Sequence, residues 1–353
     1  KSVGNDKITN ITQVVSVGIW GGDTGSLGSS MATASVQTTA YPTSKTSPYY
    51  IDVYNKDTGS SDAEVQFSIA YGDINGYGSP SLADDDGSLL ASLATYAQYR
   101  NVLLDPADKY FSVYSGSTAG GYDMQNFYAI NINRARYKER LDPGNISVKL
   151  QGGNGVVTLI DDSGGTNETV TTAGRVYNMV SGSLNIGTSN SSTTQSPTSS
   201  NGQGWGLFYP DMGIILLNPA ALAAKVDTKL TAPTVTSAAG TYYNNTAGSG
   251  SLRLFEVLKA GADFQVRRTE NVSTSHYFVR ANNREFNFSN NPTFVTGSVG
   301  QFVQGLFEND PHVWITSVGM YDDSNELLAV AKLSSPIEKT FDKEIAIKVK
   351  LDF

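Results

Sequence analysis

Ile345-Ala346-Ile347-Lys348-Val349-Lys350-Leu351-Asp352-Phe353 carries an apolar residue at every odd position and a polar or small one at every even position. Side chains alternate across a strand, so this stretch predicts a strand with one buried face. A terminus frays unless something ties it down. An apolar stripe that reaches Phe353 therefore predicts a strand docked in a sheet. Upstream, Val313–Tyr321 is rich in β-branched and aromatic residues, Asp322-Asp323-Ser324-Asn325 has turn chemistry, and Leu327–Leu333 returns. That order predicts a hairpin, ended by Pro336 and the polar run to Lys343.

The rest of the chain has the same character. It has 353 residues, of which 16% are charged, with 35 Gly, 19 Tyr and 14 Phe. Few charges, many turn formers and many aromatics suit strands joined by loops. The length fits two or three domains, or one with large insertions. The predicted fold is mainly β, a β-rich α+β class of antiparallel sheets or sandwich-like units, with a few short helices and long Gly/Ser/Thr loops. The predicted division is an N-terminal arm over 1–45, a β-rich domain with one helix over 46–180, a low-complexity loop over 181–204, and a second β-rich part over 205–353 that ends in a C-terminal sheet.

Within that frame, Tyr49–Tyr54 and Ala63–Tyr71 read as strands, with Val65, Phe67, Ile69 and Tyr71 on one face. Ser88 is placed to cap a helix running to Leu104, with Leu89, Leu90, Leu93, Ala97 and Leu104 on one side. Phe127–Asn133 reads as a strand and Asp142-Pro143-Gly144-Asn145 as a strong turn. Ile146–Leu150 and Val156–Ile160 form a hairpin through Gln151–Gly155. Gly213–Leu217 suits a buried strand, and Asn218-Pro219 opens a short helix. Ser251–Ala260 is a helix closed by Gly261. Phe264–Arg267 and Tyr277–Arg280 read as two strands paired across Thr269–Ser275.

The chemistry-bearing residues are sparse. Net charge is −8 and the pI is near 4.8, which argues against a protein that coats nucleic acid. Without cysteine there are no disulfides, thiolate metal sites or cysteine nucleophiles, and the lack fits assembly in a reducing compartment. The start, Lys1–Asp6, is not followed by the apolar core of a leader. No apolar run is long enough for a membrane span, so no membrane insertion is expected. Asp84-Asp85-Asp86-Gly87 lacks the spaced oxygen ligands of a calcium loop. Asp161-Asp162-Ser163-Gly164 reads as a turn. Gly116–Gly121 lacks the lysine of a phosphate loop. His276 and His312 are far apart and lack a serine elbow, so both read as structural. No cofactor, metal ligand set or catalytic group is predicted. Arg134, Arg136, Lys138 and Arg140 alternate. As a strand they would set four cations on one face, for salt bridging or subunit contact rather than nucleic acid.

Four segments resemble a known group: Tyr49–Asn55 with Ala63–Gly72, Asn133–Asn145, Tyr277–Thr293, and Ile315–Ser334 through to the terminal strand. Together they resemble virion structural proteins of contractile-tailed bacteriophages, notably those of marine cyanobacteria. The closing strand also resembles the end of baseplate wedge proteins. The segments cover under half of the chain. The resemblance implies a non-enzymatic, multi-copy or homo-oligomeric subunit located in the virion and contacting other virion proteins of the tail or baseplate. Two rivals stay open: a receptor- or glycan-binding tail module with depolymerase activity, and a head or neck structural protein.

Overall fold

The computed structural model describes residues 7–20, 26–33, 50–79, 90–115, 121–164, 169–184, 198, 201–234, 250–297 and 300–352. Its sheets are built from antiparallel pairs. Three α-helices accompany them among the described residues: α1 (Ala91–Leu103), α2 (Pro219–Lys225) and α3 (Gly250–Gly261). The mainly β reading therefore holds. The chain divides into two compact units, Val15–Glu270 and Lys1–Val14 with Asn271–Phe353. This differs from a division at 181–204. The strands flanking that stretch, Gly174–Ser181 and Gly206–Tyr209, are hydrogen-bonded neighbours, with Tyr177 opposite Phe208. The low-complexity segment thus connects adjacent strands; residues 185–197 lie outside the described ones.

In the larger unit the sheet runs from the start of Phe264–Ala281 through Arg140–Gln151, Val156–Asp161, Gly174–Ser181, Gly206–Tyr209, Ile214–Leu217, Asn126–Ile132, Val65–Asp73 and Tyr50–Tyr54 to Ala32–Thr33. Its period of two separates two cores. Tyr128, Ile130, Phe208, Ile215 and Leu217 join the core that includes residues of α2 and α3. Phe127, Ala129, Leu207, Tyr209, Ile214 and Leu216 join the core that includes Tyr96 and Leu103 of α1. A sheet covered on both faces needs apolar residues at successive positions, so Ile214–Leu217 reads as a continuous apolar run. The same covering explains why Val65–Asp73 buries both sets of alternating side chains.

Local chemistry sets the helix ends. The Asn218 side chain accepts from the Ala220 amide at 3.1 Å, with Pro219 in the first turn, as the cap rule predicts. Gly261 ends α3 where a Cβ would come within 2.0 Å of the Lys149 carbonyl oxygen, so the close approach of helix and strand requires glycine. α1 corrects the sequence reading. It begins at Ala91, its N-cap Leu90 supplies no side-chain bond, and Ser88 lies outside the described residues. Its buried side chains include Ser92, Tyr96 and Leu103 rather than the predicted aliphatic stripe. Tyr96 stacks on Phe127, with centroids 5.3 Å apart, so aromatic packing decides which face turns inward.

Three further expectations change. Besides the short strands Ser26–Leu27 and Ala32–Thr33, the described residues of the predicted arm include a strand, Lys7–Gly18, beside Phe264–Ala281. Trp20 follows it into the core, 5.5 Å from Phe264. Phe264–Arg267 and Tyr277–Arg280 are not two strands of a hairpin; they belong to one 18-residue strand, Phe264–Ala281. Its polar middle needs only backbone partners to continue. Asp142–Asn145 does not reverse the chain. It bulges from Arg140–Gln151, because Val266 pairs with Ile146 while Arg268 pairs with Leu141.

In the smaller unit, Ile345–Asp352 pairs along residues 274–281, from Asp352 opposite Thr274 to Ile345 opposite Ala281. Ile347 and Val349 are buried while Ala346, Lys348 and Lys350 are exposed, as the alternation predicts. Phe353 lies outside the described residues. Val313–Tyr321 pairs with Leu327–Lys339, so the hairpin runs past Pro336 instead of ending there. Pro336 falls where the register jumps between Ile315 opposite Ile337 and Ser317 opposite Lys332. A bulge spares the amide that proline lacks.

Candidate assembly surface

The hairpin of Val313–Tyr321 and Leu327–Lys339 forms a two-stranded sheet of its own. Its open end is held firmly. Val313 and Lys339 are buried opposite one another. The Lys339 ammonium donates to the Asn283 carbonyl at 3.0 Å, to Asn287 Oδ1 at 2.8 Å and to the Thr340 carbonyl at 2.8 Å. Burial pushes its pKa down, but its three donors are all used. Next to it, His312 Nδ1 meets Glu338 Oε1 at 2.7 Å and Nε2 meets Asp310 Oδ2 at 3.0 Å. Glu338, then Asp310, raises the His312 pKa. Lys343, and after it His312, lowers that of Glu338. His312 thus links Asp310 and Glu338 at the hairpin's open end.

Toward the tip the burial vanishes. Tyr321, Leu327, Leu328 and Val330 are each more than half exposed, reaching 68% at Leu328, as is Trp314 beside the open end. Tyr321 stands opposite Leu327, and Val330 opposite Gly319, so these apolar side chains share one face. The register slips between Met320 and Tyr321, leaving Leu328 as the extra residue of a bulge. Asn325 takes a left-handed φ of 63° in the turn, where Asp322 Oδ1 accepts from the Ser324 and Glu326 amides at 2.9 and 2.7 Å. A lone two-stranded hairpin is marginal in water, and clustered exposed apolar side chains mark an interaction surface. The sequence carried this signal as Leu327-Leu328 and Trp314 within an element that has no room to bury both its faces.

The basic row is not one surface. Arg134–Arg136 is a 3-10 turn rather than a strand, so the four cations do not share a face. The Asn133 side chain caps that turn by accepting from the Ala135 amide, a local bond that outcompetes the extended backbone. Each cation has a partner within the larger unit. Arg134 Nη1 donates to the Asp211 carbonyl at 3.2 Å and lies over the Tyr137 ring at 4.6 Å. Arg136 pairs with Glu64. Lys138 reaches Glu270 at 3.5 Å. Arg140 Nε donates to Thr269 Oγ1 at 3.0 Å. Arg136 and Lys138 thus pair with carboxylates, while Arg134 and Arg140 bond to a carbonyl and a hydroxyl.

The other sequence candidates separate as well. Asp84–Gly87 lies outside the described residues, as does most of Gly116–Gly121. Asp161 is fully buried and accepts from the Gly144 amide at 2.7 Å, so it holds the Asp142–Asn145 bulge. Among the described residues no group of three or more His, Asp or Glu side chains is placed to hold a metal ion, and no helix is long and apolar enough to cross a membrane. No family model, curated protein or solved structure matches the chain.

Proposed function

We propose that this chain is a non-enzymatic structural subunit of a contractile-tailed phage virion, a tail baseplate component that mediates assembly through its C-terminal hairpin. The observation that carries the reading is the hairpin itself: anchored by buried Val313 and Lys339, exposed at Tyr321, Leu327, Leu328 and Val330. Burying apolar area contributes about 25 cal/mol per Å2, so a neighbouring virion protein that covers this face gains affinity where the free chain gains nothing. The quoted segments supply the resemblance to tail proteins, and the partnered basic row leaves the apolar hairpin as the better docking element.

The test is a pair of charge substitutions, Leu328→Asp with Val330→Asp, introduced into the virion gene. Particles are expected to lose this subunit, while the isolated variant keeps the wild-type melting temperature. Normal incorporation of the double variant contradicts the assembly role. Release of fragments from peptidoglycan or host polysaccharide by the purified wild-type chain contradicts the non-enzymatic one.

A further inference from the structure

Lys339 is fully enclosed within the smaller unit, although lysine is among the residues least often buried. Its side-chain nitrogen lies 2.8 Å from Asn287 Oδ1, 2.8 Å from the Thr340 carbonyl oxygen and 3.0 Å from the Asn283 carbonyl oxygen. Two of these acceptors belong to the backbone. Asn287 alone carries a nitrogen that can leave without cutting the chain. Its carboxamide is also fixed in direction. Nδ2 donates to the Asn283 carbonyl at 2.6 Å, the same oxygen that accepts from Lys339. That bond turns Oδ1 toward the lysine and sets the two nitrogens side by side on one acceptor.

The chain around Asn287 is held from both sides. Phe286, just before it, takes a left-handed φ of 58°, a costly conformation for a bulky residue. Phe288, just after it, packs edge-on to Phe294 and Phe302, with centroids 5.7 and 6.5 Å apart. Phe294 is buried and stacks on Phe307 at 5.0 Å. Burial lowers the Lys339 pKa, against the charges of Glu285 and Glu344, and so favours the neutral amine that can attack. Glu285 is half-buried and Glu344 exposed, which makes Glu285 the better proton relay of the two.

We propose that Lys339 and Asn287 join through an isopeptide bond, the lysine amine displacing the asparagine side-chain nitrogen. The Nζ–Cγ bond forms and the Cγ–Nδ2 bond breaks. The lysine nitrogen keeps one hydrogen, and its other two end on the displaced nitrogen, which leaves as ammonium. No oxidant, reductant or second substrate is needed. An amide resists amines in water, but here the two groups are held in contact in a site that excludes solvent, and such positioning replaces collision. The bond would tie the segment before the hairpin to the hairpin's open end and restrain the unfolded chain as any cross-link does. The proposal does not depend on the assembly reading.

Intact-mass spectrometry of the purified, denatured full chain tests it. The wild-type mass should fall short of the sequence mass by one ammonia, and proteolysis should yield a branched peptide that joins Lys339 to Asn287. Lys339→Arg and Asn287→Ala should each show the full sequence mass. Glu285→Gln chains should be largely unlinked, since a positioned acid–base group contributes about 100-fold or more. A wild-type chain at its full sequence mass overturns the proposal. So does an ammonia loss that persists in Lys339→Arg, which would mark cyclisation of an asparagine onto its own backbone. Either result leaves the assembly proposal standing.

Discussion

Asparagine at Val349 probes the one-sided burial of the terminal strand. Val349 is 7% exposed and stands opposite Tyr277. Losing its burial costs about 1.5–3 kcal/mol, and an unsatisfied amide adds about 1–3 kcal/mol. Partial escape of the amide toward solvent brings the expected net cost to roughly 2–4 kcal/mol. Lys348→Asn is the control. Lys348 is exposed, its ammonium 6.0 Å from the Phe278 ring centroid, so its loss should stay within about 0.5 kcal/mol. Native-state hydrogen exchange of the amides of residues 276–281 in the full chain reads both variants against wild type. Val349→Asn should lower protection by roughly 30- to 1,000-fold, at about 1.4 kcal/mol per factor of ten. Lys348→Asn should lower it by no more than about threefold on the same conversion. Equal loss from the two neighbours would refute one-sided burial and the sheet built on it.

Two further outcomes follow from the larger unit. Burial pushes the Asp227 carboxyl up, but hydrogen bonds from Arg253 at 2.6 Å, the Gly153 amide at 3.0 Å and the Lys229 amide at 2.9 Å hold it at about 2, below its ordinary 3.8. A depressed folded-state pKa gives stability that is present above the unfolded value and lost as pH falls through the folded one, here about 2 kcal/mol. Urea unfolding between pH 5 and pH 2 should therefore show a drop that is flattened in Asp227→Asn. For the basic row, Arg136→Glu should cost about 1 kcal/mol or less as a surface pair is lost, and Glu64→Arg with Arg136→Glu should restore both stability and incorporation into particles. Restored stability with failed incorporation would make Arg136 an assembly contact instead of an internal partner of Glu64.

The elements legible in the sequence are those whose cause is local or periodic. Ile345–Asp352 shows its buried face because one side packs and the other does not. Asn218-Pro219 announces α2 because the cap chemistry lies within three residues. The misread elements depend on distant partners. Thr269–Ser275 looks like a loop, yet its backbone continues a strand. Asp142–Asn145 and Pro336 specify a local bend, which a bulge satisfies as well as a turn does. α1 turns Tyr96 inward because Phe111 and Phe127 wait there, a choice that aliphatic periodicity does not carry. The same limit applies to the candidate surfaces. Arg134, Arg136, Lys138 and Arg140 alternate on paper, but a 3-10 turn scatters them, and their partners Glu64, Asp211, Thr269 and Glu270 come from far along the chain.

Hydroxyl-radical footprinting of the hairpin, in the free chain and in purified tails, tests the central claim most directly. Trp314, Tyr321, Leu328 and Val330 are exposed and should be labelled strongly when the chain is free. In the tail, labelling of Tyr321, Leu328 and Val330 should fall by about tenfold or more, as expected of side chains at the dry centre of an interface. Equal labelling of these residues in the free chain and in the tail would contradict the claim that the hairpin is the docking element.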